Sequence, residues 1–161
     1  MTPEPTTFRA YVVAGLDALH DEMPRAYRRL IAELGDREVL LRVGSEEVSV
    51  RFVGEQPPVR PAPVQPQVVL STAASTIVAL ADAELTVEDA IWEDRVLLRG
   101  ALPDLLAFHD ALHVFLHGAV RSPSFSRRMK SFRRFCQGCA AQPPATVSQL
   151  LADPNPQAVA V

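Results

Sequence analysis

The sequence predicts an α+β fold, a mainly antiparallel five-stranded sheet with helices packed on one face. Three observations lead there. The elements run helix, strands, helix, strands and long helix, instead of alternating strand with helix throughout. Two stretches, 38–52 and 85–100, read as strand pairs around short turns, and such pairs are antiparallel. Apolar residues recur at helical spacing near the N-terminus and again after Pro103.

Taken in order, Phe8, Tyr11, Val12, Leu16 and Leu19 share one helical face, and Tyr27, Leu30, Ile31 and Leu34 share another beyond Pro24. This predicts a bent helix or two short ones, stopped at Gly35. In REVLLRVGSEEVSVRF, Val39, Leu41 and Val43 alternate, as do Val48, Val50 and Phe52, with Gly44-Ser45 between them as the turn. GEQPPVRPAPVQPQ, residues 54–67, carries five prolines. It excludes a helix or a central strand and reads as an extended surface connection, although its rigid PVRP and PAPVQP segments also suit a proline-reading domain. QVVLST is a third strand, and a helix over about 74–84 follows. LTVEDAIWEDRVLLRG supplies two more strands around a Glu93-Asp94 turn, with Trp92 expected in the core or a cavity wall. Pro103 opens a long helix that is expected to stop near Gly118. A further helix covers about Ser124 to Cys136, and one helical turn is expected around Val147–Leu151.

A chain of 161 residues, 48% hydrophobic and 22% charged, fits one globular core. Neither a basic leader followed by an apolar run nor an uncharged apolar stretch of membrane-spanning length is seen. Two cysteines are too few for a disulfide scaffold, so a cytoplasmic location is expected. The net charge of −3 divides unevenly: −8 over residues 1–120 and +6 over residues 121–139. That asymmetry argues against nucleic acid as a partner and leaves room for a local anionic one.

The stretch from Val68 to Leu116 resembles the sterol carrier protein 2 family. The resemblance lies in VVLSTAASTIVALADAELTVEDA, then RVLLRG with its Gly100, then ALPDLLAFHDAL with Asp104. The N-terminal helix and the hairpin at 38–52 extend it to about residues 8–118. It implies a twisted sheet packed on helices around an apolar tunnel, and binding or transfer of sterols, fatty acyl chains or related lipids. The domain layout then reads 1–120 as the SCP2-like domain, 121–140 as a basic amphipathic helix and 141–161 as a mobile tail.

The leading expectation is therefore a non-catalytic binding or carrier domain for an apolar small molecule, without a cofactor. Val50, Phe52, Ile91 and Leu98 would form one wall of its cavity, and Ile77, Leu80, Leu105, Phe108 and Leu112 the other.

HDALHVFLH raises a second possibility. At 100° per residue, His109, His113 and His117 fall about 40°, 80° and 120° from Leu105, climbing from the core edge towards solvent. An amphipathic border accounts for that placement. Residues four apart can also share one ion, and CQGC adds Cys136 and Cys139. His113, His117, Cys136 and Cys139 would complete a structural zinc set and make the protein a zinc-binding accessory protein. No histidine follows Cys139, so haem attachment is not suggested, and no strand precedes the cysteines as a thioredoxin-like site requires.

In SFSRRMKSFRRFCQGC, Phe125, Met129, Phe132, Cys136 and Cys139 make an apolar stripe, and Arg127, Arg128, Lys130, Arg133 and Arg134 surround it. The basic helix 124–139 can cap the domain, lie on an anionic membrane, or dock on a protein partner as part of an interaction domain. Catalytic signatures are missing. Neither G-x-S-x-G nor a phosphate-cradling glycine loop occurs, and the acidic pairs sit at expected turns and strand edges.

Overall fold

The computed structural model describes residues 5–53, 59–60 and 65–139, the last two by backbone alone. The N-terminal stripe forms two helices, α1 (Phe8–Glu22) and α2 (Pro24–Leu34). Proline at the first position of α2 forces the break at Met23, because it offers no N–H to continue the ladder of α1. Thr7 caps α1 by accepting the Ala10 N–H at 3.2 Å. The Glu46 carboxylate supplies a second, long-range cap, accepting the Phe8 N–H at 3.0 and 2.9 Å.

The hairpin forms as β1 (Val39–Val43) and β2 (Glu46–Val50), with Val39 opposite Val50 and Leu41 opposite Val48. The full sheet has five strands in the order β3-β2-β1-β4-β5, with β3 at Val59–Arg60, β4 at Val68–Thr72 and β5 at Val96–Gly100. Three of its pairings are antiparallel, but β1 and β4, at its centre, run parallel. The expected sheet is thus corrected to a mixed one. A buried polar cluster explains the parallel pair. Glu38, 2% exposed, accepts the Ser49 hydroxyl at 2.6 Å and the Gln65 N–H at 3.2 Å. Its own N–H donates to the Gln67 side chain at 2.7 Å, and its carbonyl accepts the Gln67 and Val68 N–H groups. One residue thereby fastens the returning chain beside the start of β1, in the same direction.

Strand membership differs from the expectation in two places. The proline-rich connection contributes β3, a two-residue edge strand, which is where a proline-rich segment can join a sheet. LTVEDAIW, expected as a strand, instead forms the helix α4 (Val87–Trp92). Thr86 accepts the Asp89 N–H at 3.0 Å and donates to the Asp89 carboxylate at 2.8 Å, closing a reciprocal cap that outweighs the β-leaning Val87, Ile91 and Trp92. Only Ala90 of this helix is fully buried, and Trp92 is 87% exposed, so it is neither core nor cavity wall.

The helix α3 covers Ala74–Ala81. The long helix α5 spans Leu102–Arg121, a turn or so beyond the expected stop at Gly118, and α6 covers Phe125–Cys139. Gly118 is a crossing point and not a terminator. A Cβ there would lie 2.5 Å from Leu19 Cδ1 and 2.9 Å from Ala26 Cβ, so only glycine lets α5 approach α1 and α2 so closely. The core collects Leu16 and Leu19 of α1, Leu30 and Leu34 of α2, Val39, Val43, Val48, Val50 and Val68 of the sheet, and Phe108 and Ala111 of α5. The expected mobile tail, 141–161, and the helical turn around 147–151 lie outside the described residues.

Candidate ligand-binding site

Alternation puts Val39, Leu41 and Val43 on the same sheet face as Val50 and Leu70, by their register with β2 and β4. That face, with α1, α3, α5 and α6, lines a partly open cavity of about 910 Å³. Its walls are overwhelmingly apolar: strand valines and leucines on one side, and Leu16, Leu19, Phe108, Ala111, Leu112, Phe115 and Phe132 on the other.

Of the residues expected to line it, Val50, Phe52, Ile77, Leu80, Phe108 and Leu112 do so. Ile91, Leu98 and Leu105 do not border it. Ile91 sits on α4, not on a strand, and is 43% exposed. Leu98 and Leu105 pack against the core instead. Beside them a Cβ on Gly100 would stand 2.6 Å from the Gln67 carbonyl oxygen and 3.3 Å from Leu105 Cδ2. The crossing of β5 into α5 is filled there by backbone and leaves no room for a ligand.

Sequence reasoning missed how the polar groups are distributed. Thr72, on β4, is satisfied by donating to the Arg95 carbonyl at 2.9 Å. The other polar linings are Tyr11 and a run at the last corner and helix: Ser122, Arg127, Arg128, Ser131 and Arg134. Arg127, Ser131 and Arg134 follow helical spacing, so they make one polar stripe along α6. Among the described residues the cavity is therefore oily through its depth and cationic along one edge.

The helix that supplies this edge is bound to the domain. Phe132, 5% exposed, meets the Tyr11 ring edge-on at 5.1 Å and the Phe8 ring at 6.4 Å. The Tyr11 hydroxyl and the Ser131 hydroxyl share a hydrogen bond of 2.7 Å, and Arg133 pairs with Asp82 at the end of α3. At the α5–α6 corner the Glu22 carboxylate accepts the Ser122 hydroxyl and, at 3.1 Å, the Ser124 N–H. These hydrogen bonds, Ser122's first, hold the Glu22 carboxyl below its ordinary value of 4.5, and the nearby Arg128 charge adds to the effect. The basic helix thus caps the cavity with the apolar stripe read from its sequence, of which Phe132 and Cys136 are the most buried members.

The zinc set is not brought together. His109, His113 and His117 form a column of rings with centroids 4.4 and 6.2 Å apart on α5. His113 and His117 face α2. Cys136 faces α3 instead, its thiol 3.7 Å from the Ala74 carbonyl, and the side chain of Cys139 lies outside the described part. Among the described residues no group of three or more His, Cys, Asp or Glu is placed to hold a metal ion. No helix among them is long and apolar enough to cross a membrane.

No protein-family model matches the chain, and no curated protein sequence does. Solved structures do match. A sterol carrier protein domain 2 from Helicoverpa armigera aligns over 73% of this chain and 95% of its own, with 14% identity and a TM-score of 0.54. A conserved hypothetical protein from Thermus thermophilus aligns over 76% and 94%, with 17% identity and a TM-score of 0.51. At such identities the agreement is one of backbone and topology. A mixed five-stranded sheet, helices packed on it and an oily interior between them make this the sterol carrier protein 2 fold.

Proposed function

We propose that the protein is a non-catalytic carrier of an apolar small molecule, a lipid, sterol or acyl group held between the sheet and α5 under the α6 cap. The observation that carries this reading is the cavity itself. Its 910 Å³ lies in the range of about 300–1,000 Å³ typical of small-molecule sites. An apolar interior of this size gains from any cargo that removes its walls from water, at about 25 cal/mol per Å². The Helicoverpa domain of the same fold is described as a sterol carrier, which agrees with an apolar cargo here.

The cavity's hydroxyls support a binding role over a catalytic one. Tyr11 and Ser131 bond to each other and Thr72 bonds to a carbonyl, and the Glu22 carboxylate that accepts the Ser122 hydroxyl is held below its ordinary pKa, which makes it a poor base for activating a nucleophile. The exposed Arg127 and Lys130, with Val120 at the cavity edge, give α6 a surface suited to meeting an anionic bilayer during loading.

Native mass spectrometry of the purified protein should detect a co-purifying apolar molecule, and a fluorescent fatty-acyl probe should bind with one site per chain. Leu80→Trp fills the wall without touching the fully buried core and should weaken the probe at least tenfold. A protein that never binds an apolar probe, or a Leu80→Trp variant that binds it equally well, overturns the carrier reading.

A further inference from the structure

The histidine column has no part in the cavity, yet one of its atoms is conspicuous. His113 Nε2 is buried and has no hydrogen-bond partner among the described residues. A buried polar atom without a partner costs free energy until something pairs with it. The His113 ring that carries it borders a second concavity, of about 670 Å³, between α2 and α5. Asp110, His113, Val114, His117, Gly118 and Arg121 line one side, a single stripe of α5, and Arg25, Ala26, Arg29 and Glu33 of α2 line the other.

The two helices run antiparallel, since Ala26 lies against Gly118 while Arg37 pairs with Asp104 at 2.7 Å. Arg25 and Arg121 therefore occupy the same end of the groove, and Glu33 and Asp110 the other. The acids are already engaged: Glu33 with Arg29 at 3.3 Å and Asp110 with His109 at 3.2 Å. Arg25 and Arg121 make no ion pair among the described residues. The groove is left rich in donors, two guanidinium groups and two imidazoles, and poor in free acceptors.

We propose that this end of the groove is a binding site for a phosphoryl group, held by Arg25 and Arg121 with the His113 and His117 imidazoles donating to its oxygens. Guanidinium forks match phosphate oxygens in geometry as well as charge, and a turn of the His113 ring towards the groove lets a ligand oxygen give Nε2 the partner it lacks. The phosphoryl group can belong to a free metabolite or to a lipid headgroup. The site is separate from the apolar cavity, so it stands whether or not the carrier reading does.

The test is a titration of ¹⁵N-labelled protein with inorganic phosphate at constant ionic strength, in parallel with vesicles of phosphatidylcholine containing phosphatidic acid. Saturable shifts of the His113 and His117 ring nitrogens are expected with phosphate. The dissociation constant should rise at least tenfold in Arg25→Gln/Arg121→Gln and stay unchanged in Arg99→Gln, on an exposed edge of the sheet. His117→Gln, at an exposed position, should weaken binding on its own and serves if the double variant folds poorly. Groove shifts with phosphate alone assign a free metabolite, and groove shifts with the vesicles as well assign a lipid headgroup. Shifts that never saturate, that fall on α6 instead, or that survive the double substitution overturn the proposal.

Discussion

Replacing Phe132 with alanine tests whether this ring anchors α6 over the cavity. A buried Phe→Ala change costs about 3–5 kcal/mol, through lost transfer energy and the space left behind. One side of this ring already borders the cavity, so less packing is forfeited and the lower end, about 3 kcal/mol, applies. The remaining anchors are weaker. The Arg133–Asp82 pair is open to solvent, which screens its attraction. The Tyr11–Ser131 hydrogen bond adds about 1 kcal/mol. With its largest contact gone, α6 should open locally before the rest unfolds. Three kcal/mol corresponds to about a hundredfold in the open population. Hydrogen exchange read by mass spectrometry should therefore speed up about a hundredfold in peptides from α6 while those from β1 and β4 change far less. Affinity for a fatty-acyl probe should fall at the same time. Equal acceleration across sheet and helices would mean that Phe132 is ordinary core. Unchanged exchange in α6 would mean that the aromatic cluster does not hold the cap.

Glu38→Ala should destabilise by about 3 kcal/mol in urea unfolding, because the Ser49 hydroxyl and the Gln65 N–H lose their acceptor inside the sheet. Gly100→Ala should cost about 1–3 kcal/mol by the same measurement, since the new methyl meets the Gln67 carbonyl oxygen at 2.6 Å and backbone must shift. Glu22 should make the α5–α6 corner sensitive to acid. Its folded carboxyl titrates below the ordinary 4.5, so its contribution is complete above that pH and is lost as pH falls through the folded value. The difference in Tm between wild type and Glu22→Gln should be constant near neutrality and close below pH 4.5, and a difference that persists in acid would remove Glu22 from the corner.

Periodicity carried most of the fold. The α1–α2 break, the hairpin and its register, β4, α5 and the apolar face of α6 all follow from apolar spacing, with proline and glycine as punctuation. Where the reading failed, a short-range signal competed with a longer one. Val87, Ile91 and Trp92 look like strand residues, but Thr86 and Asp89 cap the segment as a helix, and that T-x-x-D pattern was there to be read. The parallel β1–β4 pair had no such local trace. It depends on Glu38 gathering groups from residues 49, 65 and 67, and alternation gives the parity of a strand but says nothing of its neighbour.

The same limit governs the candidate site. Parity grouped Val50 with Val48 and Phe52 on one strand face without choosing which face meets the cavity, and helical phase grouped Phe108 and Leu112 on the buried stripe of α5, where both border it. Nothing in apolar spacing separates a residue that lines a void from one that fills it, which is why Leu98 and Leu105 look equivalent to their neighbours in sequence. The distinction is made by backbone proximity: Gly100 brings β5 and α5 so close to Gln67 that this end of the interior is solid. At the other end the interior is covered in part by a helix whose arginines the sequence presented as a solvated face. Helical spacing turns three of them, Arg127, Arg128 and Arg134, to the cavity edge beside Ser131. The cationic rim is thus a product of two features that are separately visible in the sequence, an apolar stripe that docks α6 and a basic stripe beside it. Their joint meaning depends on the cavity beneath, and only the packing of α1, α5 and the sheet shows that.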